Sequence, residues 1–438
     1  MTQHRGPAPH QRPSASRLVT RGVALVATLV SSLIAGPAAA ATSPWYLGLV
    51  QSVGYESNLY RIADEQPLAP GLSRSDTLST TSLIGGLDQT ISRQRVYGSL
   101  NARANRFANN KGLDNTSYGL DLALDWETLE RLSGTLRVAA DQALNQFNNR
   151  NGIGGQVETQ KNIANTNLMD AKFRLGRQTK LSFEAGLGLR QRRYSSANYK
   201  GAEFDEASAS LGLRYRPSSL LDLGASIRQA NVDYPFYRRT GVDSYQSDRL
   251  TRRYLDFSAH WEPSALNQLS VRVSPTRISH DSNTVGDFSG LTGSADWHLQ
   301  ASGKTQLTTS LSRDAGQSSN ALSLGIFGPG VNDTSQLTTA LRFKADHELT
   351  GKVSVSGSLA YARRRLTDVV VALPQLTLRT LDGTDNTATA TLGARWAISR
   401  SGQLGCDVHN ARRTSSNEQL LTPFNGYGFS CYGQLVLQ

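Results

Sequence analysis

The chain has 438 residues, of which 38% are hydrophobic and 18% charged, with a formal net charge of +11 and two cysteines. A soluble protein of that length normally divides into two or three domains around dense apolar runs, and the sequence shows neither such runs nor a boundary. Two cysteines cannot build a metal cluster, and a basic surplus that sits partly in an exported leader does not point to nucleic acid as a partner.

The first segment is that leader. Arg17 and Arg21 precede the apolar stretch 23–35, which runs into "GPAAAATSP". A basic region, a short apolar core and small residues at the cleavage site make a secretory signal peptide. The apolar core is shorter than the roughly 20 residues of a spanning helix. Residues 1–41 are therefore predicted to be removed after Ala40 or Ala41, taking Arg5, Arg12, Arg17 and Arg21 with them, and residues 42–438 to form one domain.

That domain opens on "WYLGLVQSVGYESNLYRIADE", where Leu47, Leu49, Val53 and Tyr55 share one parity. The alternation predicts a strand that starts at an aromatic interface, Trp45 and Tyr46, and ends at Glu56, Ser57 and Asn58. The same period of two recurs along the chain. Tyr118, Leu120, Leu122, Leu124 and Trp126 alternate with Gly119, Asp121, Ala123 and Asp125. Met169, Ala171, Phe173 and Leu175 oppose Asp170, Lys172 and Arg174, and Leu181, Phe183, Ala185, Leu187 and Leu189 oppose Ser182, Glu184 and Arg190. Later copies are Leu255, Phe257, Ala259 and Trp261; Leu291, Ala295, Trp297 and Leu299; Leu337, Leu341 and Phe343; and Ala388, Ala390, Leu392, Ala394 and Trp396.

Charged groups at successive positions of the second face exclude a dry sandwich core, which would leave them unpaired. A water-filled interior accepts them. Short links such as "GRQTK", "RPSSL" and "SRSGQ" alternate with longer polar segments, 142–165, 228–252, 313–335 and 363–385, read as outer loops. About eight short turns and nine long loops predict about 18 antiparallel strands, an outer-membrane β-barrel with both termini in the periplasm. Strand one begins so soon after the leader that no plug domain of the TonB-receptor kind is expected before it.

The stretch "VGYESNLYRIAD", the succession of alternating hairpins and the terminal "CYGQLVLQ" resemble the EpsL-like β-barrel porins of exopolysaccharide-biosynthesis operons. The resemblance covers the whole mature chain. It implies a part in exopolysaccharide export, as a passive conduit or an assembly partner, with an acidic exopolysaccharide and other export-machinery proteins as partners. The chain departs from the general barrel-assembly signal, which ends in an aromatic residue, by ending Leu437, Gln438. A general or anion-selective diffusion porin is the alternative reading, and a barrel enzyme acting on lipid or polysaccharide is a second.

Enzymatic motifs are scarce: His260, His280, His298, His347 and His409 lie far apart, with no HExxH, CxxC, P-loop or GxSxG. A Ser/His site assembled across strands, as in outer-membrane phospholipases, needs no local motif and stays open. No enzyme activity, cofactor or metal is expected; "DGTDN" at 382–386 reads as turn chemistry rather than a calcium loop. The candidate lumen residues are the bases on the polar parity. Arg103, Arg137, Lys172, Arg174, Arg214, Arg342, Lys344 and Arg395 lie deep, interspersed with acids such as Asp121, Asp141, Asp170, Glu184 and Asp256, either as a salt-bridged wall or as a transverse field. Arg190, Arg192, Arg252, Arg364 and Arg413 form an inward collar at the mouth, suited to drawing in an anion. Outward arginines at the same level suit the phosphates of lipopolysaccharide within the surrounding outer-membrane lipid.

The cysteines follow from register. If the last two strands form a hairpin with Asn410 opposite Tyr427, Cys406 lies opposite Cys431, on the outward parity with Leu404, Val408, Phe429 and Leu435. Directly opposed residues have Cβ atoms close enough to bridge, so a Cys406–Cys431 disulfide is predicted.

Overall fold

The computed structural model describes residues 43–128, 131–145, 147, 159–176, 180–239, 244–281, 287–323, 329–372, 377–418 and 422–437. The leader predicted at 1–41 lies outside the described residues. Eighteen strands follow in order: β1 (Trp45–Glu56), β2 (Asp76–Ile91), β3 (Gln94–Phe107), β4 (Asn115–Glu127), β5 (Leu132–Leu144) and β6 (Ile163–Leu175). Next come β7 (Leu181–Tyr194), β8 (Phe204–Tyr215), β9 (Leu221–Arg239), β10 (Tyr245–Ser264), β11 (Asn267–His280) and β12 (Phe288–Ser302). The last six are β13 (Thr305–Ser323), β14 (Pro329–Glu348), β15 (Val353–Ala372), β16 (Thr377–Ala397), β17 (Gly402–Ser415) and β18 (Phe424–Leu437).

Each strand pairs antiparallel with the next, and β1 pairs with both β2 and β18, so the sheet closes on itself. Closure satisfies the backbone donors and acceptors that an edge strand would leave bare. At the short-turn end, Ile91 faces Gln94 across the two-residue turn Ser92-Arg93. Ser92 takes a φ of 57° there, the left-handed conformation that tight hairpins demand.

The burial pattern is that of an inverted protein. Leu122 is 42% exposed, Leu187 59% and Leu392 66%, and they belong to a belt of large apolar side chains on the outward parity of nearly every strand. Water would not tolerate a patch of that extent on a monomer. Lipid does, and the molecule is an outer-membrane β-barrel. The buried apolar side chains gather instead inside the outer half of the lumen. Tyr60, Ile62, Phe107, Leu113 and Phe147 cluster under the first outer loop. Val232, Tyr234, Tyr237, Leu250 and Ile278 form a second cluster on β9 to β11, beside a 3-10 helix at Ala197–Ala202 that packs against β9 and β13.

Three segments read from sequence as outer loops are largely strand. Residues 228–252, 313–335 and 363–385 belong to β9/β10, β13/β14 and β15/β16, which reach 19 to 21 residues. Above the bilayer neither face has to be apolar, so the alternation fades while the hydrogen-bond ladder continues. In the first of these hairpins the β9–β10 register shifts between Gln246 and Asp248, opposite Pro235, a residue without an N–H to give to the ladder. "DGTDN" accordingly lies inside β16, not at a loop tip.

Cys406 faces Cys431 in the β17–β18 register, Asn410 faces Tyr427, and the two sulfurs are bonded. The bridge lies among lipid-facing side chains, beside Leu404 and Val408, and Cys431 stands at the β18–β1 seam itself, opposite Val53.

The two parities differ sharply in the substitutions they tolerate. Leu122→Arg, on the lipid side, is expected to cost about 2–4 kcal/mol near mid-depth. Asp121→Asn, one residue away, removes a half-exposed pair with Arg137 and should cost under about 1 kcal/mol. Urea titration of folding into lipid vesicles measures both; equal costs would contradict the assignment of faces.

Candidate functional site

Register carries the inward parity of each strand around the barrel, and Arg103, Arg137, Lys172, Arg174, Arg190, Arg192, Arg214, Arg252, Arg342, Lys344, Arg364 and Arg395 all fall on it. Most are tied to acids. In the periplasmic half Arg137 meets Asp121 at 2.6 Å, Arg174 meets Glu184 at 2.5 Å, and Lys344 meets Asp346 at 2.8 Å. Arg214 lies between Glu184 at 3.0 Å and Asp222 at 3.1 Å, and Asp222 also meets Arg216 at 3.1 Å. Lys172 is coupled to Asp170 and Glu184, and Arg395 to Asp407. Arg342 sits opposite Ser310 and Ala360.

Higher up, on β7 to β11, bases outnumber acids. Glu206 is shared by Arg190 at 2.8 Å and Arg252 at 3.3 Å. Asp256 is shared by Arg228 at 2.9 Å and Arg272 at 3.4 Å, and also accepts the Ser274 hydroxyl. Asp314 on β13 acts on Arg228, Arg252 and Arg272 together, so the four arginines face three carboxylates. Arg192 lies over the Tyr194 ring at 5.5 Å. Both Arg192 and Arg103 act electrostatically on Asp141. Arg228 and Arg272 were not singled out from the sequence, although their parity matches that of Arg252; which acid two bases share depends on the stagger between strands, and that is not visible in a one-dimensional pattern.

The collar splits by parity. Arg190, Arg192, Arg252, Arg364 and Arg413 face inward, whereas Arg193 faces outward and binds Asp205 at 2.6 Å. Arg253 stands directly opposite Arg277 on the lipid-facing side, two adjacent cations suited to a lipid phosphate.

The outer entrance is built by the first loop, residues 57–75. Asn58 is buried, and its side-chain amide both donates to Ile62 O at 2.8 Å and accepts from Ile62 N at 3.1 Å, while also donating to Asn425 O on β18 at 2.9 Å. The turn so closed holds Arg61 at a φ of 54°. Its neighbours Tyr60 and Ile62 sink fully into the apolar cluster, and the Tyr60 hydroxyl donates to Asn110 Oδ1 at 3.0 Å. Burial, reinforced by Asp76, pushes the Tyr60 phenol up to about 12. Arg61 is turned the other way, 5.2 Å over the ring of Phe424. The sequence marks this stretch as the end of a strand, the start of the first surface loop and the motif that carries the resemblance, but not the turn itself, part of whose anchoring comes from Asn425, 367 residues away.

Histidines appear in acid pairs: His280 with Asp248 at 3.3 Å, His409 with Glu56 at 2.9 Å, and His260 with Glu262 at 2.8 Å. His260 Nδ1 also lies 2.8 Å from Ser270 Oγ. This Ser–His–Glu row resembles a hydrolytic relay in composition, but Ser270 faces Asp296 across the ladder, an anion where acyl transfer needs oxyanion donors.

No protein-family model and no curated protein matches the sequence. Among solved structures, the chain is similar to OccAB3 of Acinetobacter baumannii at 12% identity, covering 90% of this chain and 99% of that one with a TM-score of 0.46. It is similar to OccK3 (OpdO) of Pseudomonas aeruginosa at 15% identity, over 90% and 96% with a TM-score of 0.42. The FrpB iron transporter of Neisseria meningitidis matches at 8% identity, over 90% and 82% with a TM-score of 0.40. Likeness at these levels carries nothing about what this barrel transports.

The Asn58 clasp can be tested by itself. Asn58→Ala removes the side-chain partner of Ile62 N and one donor each from Ile62 O and Asn425 O, and should destabilise the first loop by about 1–3 kcal/mol without unfolding the barrel. Trypsin cleavage after Arg61 or Arg74 should then become fast; a loop as resistant as the wild type would show that the clasp does not hold it.

Proposed function

We propose that the barrel is a passive diffusion channel with a preference for small anionic solutes. One observation supports this above the rest: on β7 to β11 Glu206 and Asp256 are each shared by two arginines, and with Asp314 as the further carboxylate acting on three of the four, the wall carries an excess of fixed positive charge where the solute passes. Fixed charge on a narrow, solvated wall raises the local concentration of counter-ions and sets the sign of the ion that passes. The guanidiniums keep that charge at any physiological pH. Nothing in this role requires covalent chemistry or a cofactor.

The test removes charge without orphaning an acid. In Arg252→Gln with Arg272→Gln, Glu206 retains Arg190 and Asp256 retains Arg228. In planar bilayers under a potassium chloride gradient, the wild type should show a reversal potential of chloride preference, and the double variant should move it toward zero. A cation preference in the wild type, or an unmoved potential in the variant, overturns the reading.

The export role implied by the resemblance is a separate proposal, supported by the motif at 54–64 and by the loop that this motif builds. It expects a deletion strain to synthesise exopolysaccharide normally and to release less of it. Unchanged polymer outside the cell would count against it.

A further inference from the structure

Three guanidiniums lie close together at the outer entrance, by the wall formed by β15 to β18: Arg61 and Arg413 lie over the same Phe424 ring, and Arg364 is near enough to Arg61 to act on its charge. Arg364 is held by its cross-strand partner Asp385 through Nε at 2.9 Å and Nη2 at 2.8 Å, and that carboxylate is fully buried. Arg413 faces Phe424 across the ladder, lies 4.9 Å from the ring centre and donates its Nε to Thr422 O at 2.7 Å. Arg61 reaches the same ring from the first loop. The acid nearby, Glu56, is taken by His409 at 2.9 Å.

Arg61 differs from the other two. Among the described residues no carboxylate lies within ion-pair distance of its guanidinium, and the aromatic ring is the contact it makes. Burial pushes its pKa down to about 10, with the charge of Glu56 opposing the shift and that of Arg364 adding to it. The left-handed backbone and the Asn58 clasp hold the cation in place. A strained residue fixed by surrounding structure, with an uncommitted five-donor fork, is built to meet a ligand rather than to stabilise the wall.

We propose that Arg61, Arg364 and Arg413 form a seat for a soluble oxyanion, a phosphate or carboxylate group, at the outer entrance of the lumen. Arg61 supplies the directional fork, since guanidinium matches planar and tetrahedral oxyanions bidentately. Arg364 and Arg413, already fixed by Asp385 and Thr422, supply charge without having to reorganise. The ligand is soluble because Arg364 and Arg413 have inward parity, off the lipid side that would offer headgroups. The seat takes its transport role from the diffusion reading above, while its chemistry rests on the cluster alone.

The probe is inorganic phosphate, titrated into the full-length barrel in phosphate-free sugar-detergent micelles and followed by phosphorus NMR line broadening. The wild type should broaden the signal saturably. Arg61→Gln should weaken binding about tenfold or more, and Arg61→Lys, which keeps the charge but not the fork, should fall between them. Heat-modifiable gel migration identifies folded variants, and Arg61→Lys keeps the test informative should Arg61→Gln not fold. Equal broadening by wild type and both variants, or a site filled by a phosphate-bearing lipid but not by inorganic phosphate, overturns the proposal. Saturable binding in a barrel without anion selectivity would retain the seat and sink the diffusion reading; selectivity without saturable binding would do the reverse.

Discussion

The closing ladder between β1 and β18 is the constraint from which the rest follows. In hydrocarbon a backbone N–H or C=O without a partner costs several kcal/mol, so a sheet that spans the bilayer has to meet itself. Once it does, every residue belongs to one of two environments, and parity alone decides which. Leucines that would be buried in a soluble protein stand exposed on the outside, and charges that a soluble core would expel line the inside. Replacing one residue type on one parity is therefore never a local change of polarity alone; it moves a group between solvents.

The inward environment is aqueous but crowded, and its charges are held in shared pairs. Toward the periplasm, Arg214 lies between Glu184 and Asp222, each of which also meets a second arginine. Toward the outside Glu206 and Asp256 are likewise each shared by two arginines. Two apolar clusters, one under the first loop and one on β9 to β11, fill part of the outer half and lower the dielectric beside the arginines, so that each uncompensated charge is felt more strongly than in open water. The polar hub at Asp76, which accepts from Asn109 N, Asn110 N and Thr77 N, holds the first of these clusters to the wall.

Much of this was legible in the chain. Alternation gave the faces, the count of links gave eighteen strands, and the spacing around Asn410 and Tyr427 placed the two cysteines in opposition. What escaped did so for physical reasons. The extensions of β13 to β16 carry polar residues on both parities, and a ladder without an amphipathic face has no sequence period; in β9 the alternation persists but inverts, with Ala230, Val232 and Tyr234 turned inward. Arg61 escaped because the local turn that holds it, Asn58 to Ile62, is anchored by Asn425, and the ring it meets is Phe424, both far away in sequence, while its neighbours read locally as a strand running out. The sharing of Glu206 and Asp256 escaped because it depends on how far one strand is staggered against another, a quantity that hydrogen bonding across the ladder determines and composition does not.

The bridge between β17 and β18 carries a consequence for the order of events in biogenesis. Disulfides form and rearrange through an attacking thiolate, and the hydrocarbon beside Leu404 and Val408 is no solvent for an anion. Once the barrel is in place, Cys406 and Cys431 are out of reach of oxidant and reductant alike. Oxidation thus belongs to the periplasmic life of the chain, when the carboxy-terminal hairpin is still in water and next to no one. The final strand then arrives at the seam already fastened to β17 in one register, so that only its register against β1 is left to be chosen at closure.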